Sequence, residues 1–290
     1  MTKKDRTNHW LKNHSNLEVA CIHCHERLDL QAGSLVCSNN HRFDMAKQGY
    51  YFMAKKANST KYDHSLFQAR REIILHTDLY HPLHQYIADC LQEHVPLNAK
   101  VLDAGSGEAS HLWQIKKIVQ DEDYAFIATD LAKDAIQVAT DYNGYLLPLV
   151  ADLAELPIKD QQIDAILSIF SPSNYAEFER VLTAKGVLIK VVPNAGYLHE
   201  IRQSLIEMGV GNIHAYSNED VVSIFKKYYP THHIEDIQHT IQLTDQQMKQ
   251  LVMMTPLTWQ LNANQEQELL RRLEGKVSLD VSVLVGQVNP

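Results

Sequence analysis

The spacing of apolar residues changes along the chain in a way that separates strands from helices. Short apolar runs bounded by turn-forming residues predict buried strands, and apolar residues three or four apart predict amphipathic helices. Strands are predicted at 100–104, 124–129, 145–150, 163–169 and 187–192. Helical spacing covers 66–94 and returns at 110–119, 133–141, 175–182 and 197–208.

This alternation predicts an α/β fold, because βα units place helices on both faces of a parallel sheet. Two late strands are predicted at 233–243 and 277–288, with helices near 245–253 and 265–274 between them. Late strands joined by helices fit a doubly wound sheet with an antiparallel edge.

The start of the chain has a different character and is predicted to form a separate module. Residues 1–20 are polar and are expected to be loose, whereas 21–43 alternate strand-like pieces at 28–30 and 34–36 with tight turns. Residues 53–64 have the composition of a flexible linker. We therefore divide the chain into a small module at 1–60 and a larger domain at 61–290.

Four residues of the small module are spaced as the ligands of one metal ion. Cys21 and Cys24 form a C-x2-C pair, and after twelve further residues Cys37 and His41 form C-x3-H. Three thiolates and one imidazole suit a closed, structural zinc site. The alternatives are disulfides, which need an oxidising compartment, or inert buried thiols. The polar N-terminus shows no secretory signal and no apolar run is long enough for a membrane span, so a cytoplasmic zinc protein is favoured.

Charge is distributed unevenly along the chain. The formal net charge is −8, but residues 1–71 carry twelve Lys and Arg against six Asp and Glu, and the remainder carries fifteen against twenty-nine. A basic module on an acidic body suggests a polyanionic partner, although basic tails are often merely solvated. Its aromatic residues could stack on the bases of a single-stranded nucleic acid among these cations, or could simply form the core of the module. The residues concerned are Phe43, Tyr50, Tyr51, Phe52, Lys47, Lys55, Lys56, Lys61, Arg70 and Arg71.

A glycine turn follows the first predicted strand of the large domain. Gly105 and Gly107 follow Asp103, and Ser110 stands where a dinucleotide-binding G-x-G-x-x-G turn has its third glycine. Ligands of such sheets bind beyond the carboxyl ends of the strands. The missing glycine and the acidic residue argue against a pyrophosphate and for a ligand with a cationic end.

Two more aspartates end the next strands and extend this pattern. Asp130 is placed to accept the hydroxyls of a ribose, and Asp152 to accept an adenine amino group. Strand-end aspartates also commonly cap the following helix. Three of them in register with a glycine turn resemble the class I (Rossmann-like) methyltransferases, which bind S-adenosylmethionine.

Zinc module and methyltransferase body together resemble one family, the bacterial 23S rRNA (guanine-N1)-methyltransferases. The resemblance covers the chain from Cys21 onward, and its most specific part follows the zinc ligands. Its motifs are 41-HRFDMAKQGY-50, 68-QARR-71, 80-YHPL-83, 102-LDAGSGE-108, 170-FSP-172 and 254-MTP-256 with Trp259. The resemblance implies methyl transfer to N1 of a guanine in a hairpin loop of domain II of 23S rRNA.

The resemblance also implies roles for individual residues. Tyr80 should close over S-adenosylmethionine, Ala109 and Ser110 should line its methionine end, and Tyr197 should contact it from the loop after the fifth strand. The family's turn usually reads G-C-G-E-G, so Ala109 replaces a glycine here. We expect cofactor binding to survive this change. Some relatives have His in place of Tyr197.

The sequence gives less information about the residues that would bind the acceptor guanine. Glu200 is a candidate general base, as is Asp152 if adenine does not occupy it; Glu200 could equally be a surface helix residue. Phe170 could stack on the guanine and Ser171 or Asn174 could hydrogen-bond its edge, or the segment could be an ordinary strand-ending turn with a helix cap.

Three functional hypotheses follow from these patterns. The first is the rRNA methyltransferase, with the zinc module gripping the RNA hairpin and a homodimer as a plausible assembly. The second is a methyltransferase that acts on a small molecule or a protein, with the zinc module holding a dimer together or binding a partner. The third is an RNA-binding factor without catalytic activity.

Overall fold

The computed structural model describes residues 1–56, 64–119, 123–210 and 217–288. Most of the predicted linker therefore lies outside the described residues, with Lys61 among them. The strands are β1 Leu28–Gln31, β2 Ser34–Cys37, β3 Arg42–Asp44, β4 Tyr51–Met53, β5 Lys100–Ala104, β6 Ala125–Asp130, β7 Leu146–Ala151, β8 Ile163–Ile169, β9 Leu182–Pro193, β10 His232–Gln242 and β11 Lys276–Gln287. The α-helices are α1 Lys3–Asn13, α2 His64–His76, α3 His81–His94, α4 Ser110–Ile118, α5 Lys133–Ala139, α6 Tyr175–Val181, α7 His199–Glu207, α8 Glu219–Tyr228, α9 Asp245–Met254 and α10 Ala263–Arg272. Short 3₁₀ turns occupy Thr140–Tyr142 and Pro256–Thr258.

One large sheet forms the centre of the described chain. Its strand order is β10-β11-β9-β8-β5-β6-β7-β4, and every pair from β9 to β4 is parallel. Strands β10 and β11 run antiparallel along one edge. Both faces of β5 are buried, as expected for a central parallel strand covered by helices. The predicted α/β fold with an antiparallel edge is confirmed.

The small N-terminal module shares its core with the large sheet. Strands β1, β2 and β3 form an antiparallel ribbon, in agreement with the predicted pieces. Trp10, Leu28 and Leu35 pack in one apolar cluster with Leu102 and Phe178 of the large domain. The strand β4 also pairs with β7 as an edge strand of the large sheet. The ribbon is therefore packed against the sheet and fixed to it.

The prediction that residues 1–20 are loose is wrong. Helix α1 begins with a capping box, in which Thr2 and Asp5 each bind the other's backbone N–H, so its first turn is satisfied locally. Although the helix is polar overall, its Trp10 and Leu11 side chains are buried. Thr7 also donates to the carbonyl oxygen of Gly49 at 2.8 Å.

The long helical pattern at 66–94 is divided into two helices. Helix α2 ends at His76 and α3 begins at His81, with Pro82 in its first turn. Proline suits a first helical turn but lacks the N–H that a continuous helix would need. Helix α8, which no prediction included, covers one end of the sheet with Phe225 fully buried. No helix within the described ranges is long and apolar enough to cross a bilayer.

Candidate active site and zinc centre

The four predicted metal ligands come together at the tip of the ribbon. The Sγ atom of Cys21 lies 3.4 Å from Nδ1 of His41, Cys37 Sγ lies 3.5 Å from the same nitrogen, and the Sγ atoms of Cys24 and Cys37 are 3.7 Å apart. All four donor atoms lie within 4.8 Å of one another. A zinc tetrahedron with its usual bond lengths has S···S and S···N edges of about 3.5–3.8 Å. The donor set and its geometry therefore fit zinc.

Two similar turns of the backbone create this arrangement. In the first, the N–H of His25 donates to the carbonyl oxygen of Cys21, and in the second the N–H of Asn40 donates to that of Cys37. Both His25 and Asn40 have left-handed backbone angles, which close each turn tightly enough for two ligands to face one point. The backbone N–H of His23 also points at Cys21 Sγ, at 3.4 Å. Such outer contacts orient metal-binding thiolates.

Two of the aromatic residues beside the ribbon follow the second alternative that the sequence left open, a place in the core. Tyr50 and Tyr51 are buried, and the hydroxyl of Tyr51 donates to the carbonyl oxygen of Gly33, so these two belong to the core. Phe43 is half-buried and stacks on His23. Lys55 pairs with Glu155 and Arg71 with Asp141, so part of the positive charge is neutralised within the chain.

A cavity of about 850 Å³ opens where β5, β6, β8 and β9 end. Its size falls within the range of small-molecule sites. The predicted site residues that line it are Tyr80, Gly105, Gly107, Asp130, Phe170, Ser171 and Tyr197. Its mouth carries exposed apolar side chains, among them Ile224 and Trp259.

The glycine turn forms the floor beside β5. Gly105 and Gly107 both have positive φ angles, and a side chain on Gly105 would collide with Ser171 at 2.6 Å. The N–H groups of Gly105 and Ser106 bind the carbonyl oxygen of Thr129, which ties the turn to β6. Ala109 also adopts a positive φ of 62°. The glycine that the resemblance implies at this position would adopt this angle without strain, a conformational reason that the sequence interpretation overlooked.

Buried carboxylates outnumber cations behind this turn. Asp103 is almost fully buried, its Oδ1 has no hydrogen-bond partner among the described residues, and burial raises its pKa to about 8. Glu108 is fully buried with Arg70 Nε 3.4 Å from its carboxylate, and burial raises its pKa although Arg70 opposes the shift. The carboxylate of Asp130 accepts the N–H groups of Gly107 and Ala132. Three carboxylates facing one guanidinium suit a ligand that carries positive charge.

Glu108 had no role in the sequence interpretation, and Arg70 was considered there only as one of the cations that could meet a polyanion, although both lie within motifs of the resemblance. Arg70 lines the cavity and lies 3.0 Å from the place where a Cβ on Gly107 would stand. Only the folded chain shows that α2 brings this arginine across the glycine turn.

Aromatic rings enclose the middle of the cavity. The hydroxyls of Tyr80 and Tyr197 are 2.8 Å apart, and the Phe170 ring lies 5.3 Å from that of Tyr197. Phe170 has a left-handed φ of 55°, a strained conformation that concentrates at functional sites. His111 also faces this space, and burial lowers its pKa, so it is neutral.

The loop that carries Tyr197 is held by the antiparallel edge. The carboxylate of Asp280 accepts the N–H of Gly196 at 3.0 Å, and the N–H of Leu198 donates to the carbonyl oxygen of Ser278. A Cβ on Gly196 would lie 2.5 Å from that carboxylate, so the close approach requires glycine.

The remaining predicted residues lie outside the cavity lining. Asp152 is exposed and accepts the N–H of Ala154. Asn174 caps α6 by accepting the N–H of Glu177, which is the structural alternative foreseen for it. Both carboxylate oxygens of Glu200 accept hydrogen bonds from Ser278, so the structure lends no support to a general base there. Ser110 is buried beside Tyr142.

Among the cavity residues that the sequence interpretation did not find, one carries a buried charge. Lys190, in the middle of β9, has a side chain that reaches the cavity beside Ser171 and Ser173. A lone lysine in a predicted buried strand gave no signal beyond its charge.

Comparison with known proteins identifies both parts of the chain. Residues 19–53 match the family model of an RlmA N-terminal zinc ribbon, and residues 102–189 match a methyltransferase domain. The crystal structure of the YcgJ protein from Bacillus subtilis superposes with a TM-score of 0.50 at 16% identity, covering 72% of this chain and 99% of that one.

Two curated relatives align along almost the whole length. YxjB of Bacillus subtilis (strain 168), provisionally named a 23S rRNA (guanine-N(1)-)-methyltransferase, is 35% identical over 92% of this chain and 95% of its own. The 23S rRNA (guanine(748)-N(1))-methyltransferase of Streptomyces fradiae is 26% identical over 92% of this chain and 95% of its own.

Fold and sites together define an S-adenosylmethionine-dependent class I methyltransferase with an N-terminal zinc ribbon. The anionic cavity floor fits the sulfonium and ammonium groups of that cofactor. At this level of identity and coverage, the chain belongs to the 23S rRNA (guanine-N1)-methyltransferase family.

Proposed function

We propose that this protein methylates N1 of a guanine in a hairpin loop of domain II of 23S rRNA. The alignment with YxjB over 92% of the chain is the observation that carries the proposal, because it spans the zinc ribbon and the catalytic domain together. The relative from Streptomyces fradiae, whose name specifies guanine 748, supports the same acceptor atom.

S-adenosylmethionine supplies an electrophilic methyl group on its sulfonium. In the proposed complex the Asp130 carboxylate accepts the ribose hydroxyls, since each of its oxygens keeps a free lone pair beside its backbone contact. Asp103 and Glu108 supply negative potential at the glycine turn, and Arg70 is placed to meet the cofactor's carboxylate. Tyr80 and Tyr197 cover the methionine end and exclude water.

The acceptor side of the cavity is formed by the segment after β8. Phe170 presents a ring on which a base can stack, and Ser171 is fixed by a 2.5 Å hydrogen bond to the carbonyl oxygen of Ala104. A guanine must leave its stack to enter, and a loop nucleotide does so at low cost. The exposed Trp259 at the mouth is suitably placed for a neighbouring base.

The division into a zinc module at 1–60 and a methyltransferase domain at 61–290 corresponds to two tasks in this proposal. The ribbon would grip the hairpin by shape and phosphate contacts, and the large domain would transfer the methyl group. Binding should weaken as salt rises, because phosphate contacts release counterions. A homodimer would double the small RNA-contacting surface, and light scattering of the free protein tests this.

The decisive experiment uses 23S rRNA from cells that lack this gene. Purified protein with methyl-tritiated S-adenosylmethionine should label that RNA, and mass mapping should place one methyl group on one guanine of domain II. N1 methylation blocks the pairing edge, so primer extension should stop at the same nucleotide. Label in a metabolite or protein fraction instead would favour the second hypothesis. RNA binding without label would favour the non-catalytic factor.

A further inference from the structure

Lys190 is a buried cation without a buried anion beside it. Only 4% of its surface is exposed, and its Nζ donates to Ser173 Oγ at 2.8 Å, to the Ser171 carbonyl oxygen at 3.0 Å and to Ser168 Oγ at 3.4 Å. All three partners are neutral. Within the described ranges no carboxylate lies within ion-pair distance of it.

Its distance from the carboxylates follows from the sheet order. Asp103 stands on β5, two strands from β9, and Asp130 stands on β6, three strands away. With strands about 4.8 Å apart, these separations are about 10 and 14 Å. The cavity therefore has an anionic end at the glycine turn and a cationic end at Lys190.

A buried ammonium with neutral partners only is energetically unfavourable, and burial lowers the pKa of Lys190 to about 8. Such a site has the greatest affinity for a ligand group that brings negative charge. In the proposed reaction, the acceptor develops that charge, because guanine N1 becomes a good nucleophile when it loses its proton. The resulting charge is shared between N1 and O6.

We propose that Lys190 and Ser173 bind the O6 edge of the acceptor guanine and stabilise its N1-deprotonated form. Ser173 lines the cavity and accepts a hydrogen bond from Lys190. Its Oγ also lies 3.3 Å from Ser168 Oγ, and exchanging that long contact for one to O6 lets the Ser173 hydroxyl donate to the base. The contact with Ser168 is the longest of the three, so O6 can replace it as a direct acceptor of Lys190. This inference rests on the proposed function and names catalytic residues for it.

The step balances without another reactant. The N1 proton leaves to solvent, and the charge that remains on N1 and O6 is held by the Lys190 ammonium. The N1 lone pair then forms the bond to the methyl carbon while the electrons of the carbon–sulfur bond return to sulfur. A cation and an anion become two neutral products, and Lys190 keeps its proton throughout.

The test compares Lys190→Met, Lys190→Arg and Ser173→Ala with the wild type on the domain II hairpin RNA. Lys185→Met is the matched control, since Lys185 lies at the exposed end of the same strand. We expect Lys190→Met to lower kcat by about 100-fold at pH 7, the loss typical of a charge-stabilising donor. Binding of S-adenosylhomocysteine, measured by calorimetry, should stay within twofold of wild type.

The pH dependence separates charge stabilisation from a merely structural role. Without Lys190, the guanine proton leaves only at higher pH, so the rate of Lys190→Met should keep rising between pH 7 and 9.5 and its defect should shrink. The permanent cation of Lys190→Arg should restore part of the rate. Ser173→Ala should show a smaller loss of the same kind.

Two outcomes overturn the inference while the wild type still methylates N1. One is a Lys190→Met variant with wild-type kcat. The other is a loss of kcat that stays constant with pH, or one that is matched by an equal loss of S-adenosylhomocysteine binding. If the wild type itself leaves guanine unmodified, the proposed function fails instead.

Discussion

Replacing Lys190 by methionine should stabilise the protein even as it damages methyl transfer. Burial lowers the pKa of Lys190 from its ordinary 10.5 to about 8. At 1.36 kcal/mol per pKa unit, holding the folded side chain protonated at pH 7 costs about 3 kcal/mol. The variant also loses three hydrogen bonds to neutral groups, and at the low end of the net range, about 0.5 kcal/mol each, this loss offsets about half of that cost. We therefore expect a net gain of about 1–2 kcal/mol in the free energy of unfolding at pH 7.

The sign of the pH dependence follows from the direction of the shift. Below pH 8 lysine is protonated in both states, so the folded wild type bears the whole cost. Between pH 8 and 10.5 only the unfolded chain holds the proton, so the wild type gains stability as pH rises. The advantage of Lys190→Met should therefore shrink by about 2 kcal/mol between pH 7 and 9.5.

Urea unfolding followed by near-ultraviolet circular dichroism at pH 7, 8.5 and 9.5 measures this difference. The control Lys185→Met should have the free energy of unfolding of the wild type at every pH, since the side chain of Lys185 is exposed. A Lys190→Met variant that is less stable than wild type at pH 7, or whose advantage is independent of pH, would refute the buried-cation reasoning.

Three further predictions concern the rest of the molecule. Ala109→Gly should raise the free energy of unfolding by about 1 kcal/mol, because it removes the strain of an alanine with a left-handed backbone conformation. The control Ala135→Gly, within a helix, should lower the free energy of unfolding by a similar amount. Equal urea midpoints for the two variants would contradict this reasoning. Atomic absorption should find one zinc ion per chain, and a chelator or Cys24→Ser should remove it. The melting temperature should then fall, because the ribbon shares its core with the sheet. An unchanged melting curve without zinc would count against a structural metal. Asp280→Ala should weaken S-adenosylhomocysteine binding about tenfold in calorimetry by freeing the loop that carries Tyr197; Asp280→Asn should retain most of the affinity, and equal affinities for all three proteins would rule out that anchoring role.

The strongest sequence predictions concerned features that local chemistry determines. The parallel strands were predictable because β5 to β9 are buried on both faces, so their sequences are apolar runs. The zinc ligands were evident because each metal turn needs two donors within a few residues. Gly105 and Gly107 were evident because the turn demands backbone angles that few residues adopt.

The failures concern residues whose role depends on distant partners. Helix α1 appeared loose because its stability comes from Trp10 docking on the sheet, which composition does not reveal. Glu200 seemed a plausible base, yet Ser278, far along the chain, occupies both its oxygens. Arg70 and Lys190 reach the cavity from α2 and β9, and only the topology brings those elements to the same edge as the glycine turn.

The two charged ends of the cavity also bear on how products leave. Burial disfavours the charged form of both Asp103 and Lys190, so each is best stabilised while a ligand of opposite charge lies beside it. In the proposed reaction the substrates bring one positive and one negative charge, and transfer of the methyl group removes both. Asp103 and Lys190 thus bind the charged reactants before the reaction, and their electrostatic attraction for the ligands is lost once the methyl group has been transferred. Strong stabilisation of those reactants would slow transfer. Asp103 and Lys190 are poorly solvated ionisable groups that lie about 10 Å apart and do not form an ion pair, which is consistent with a compromise between the two demands.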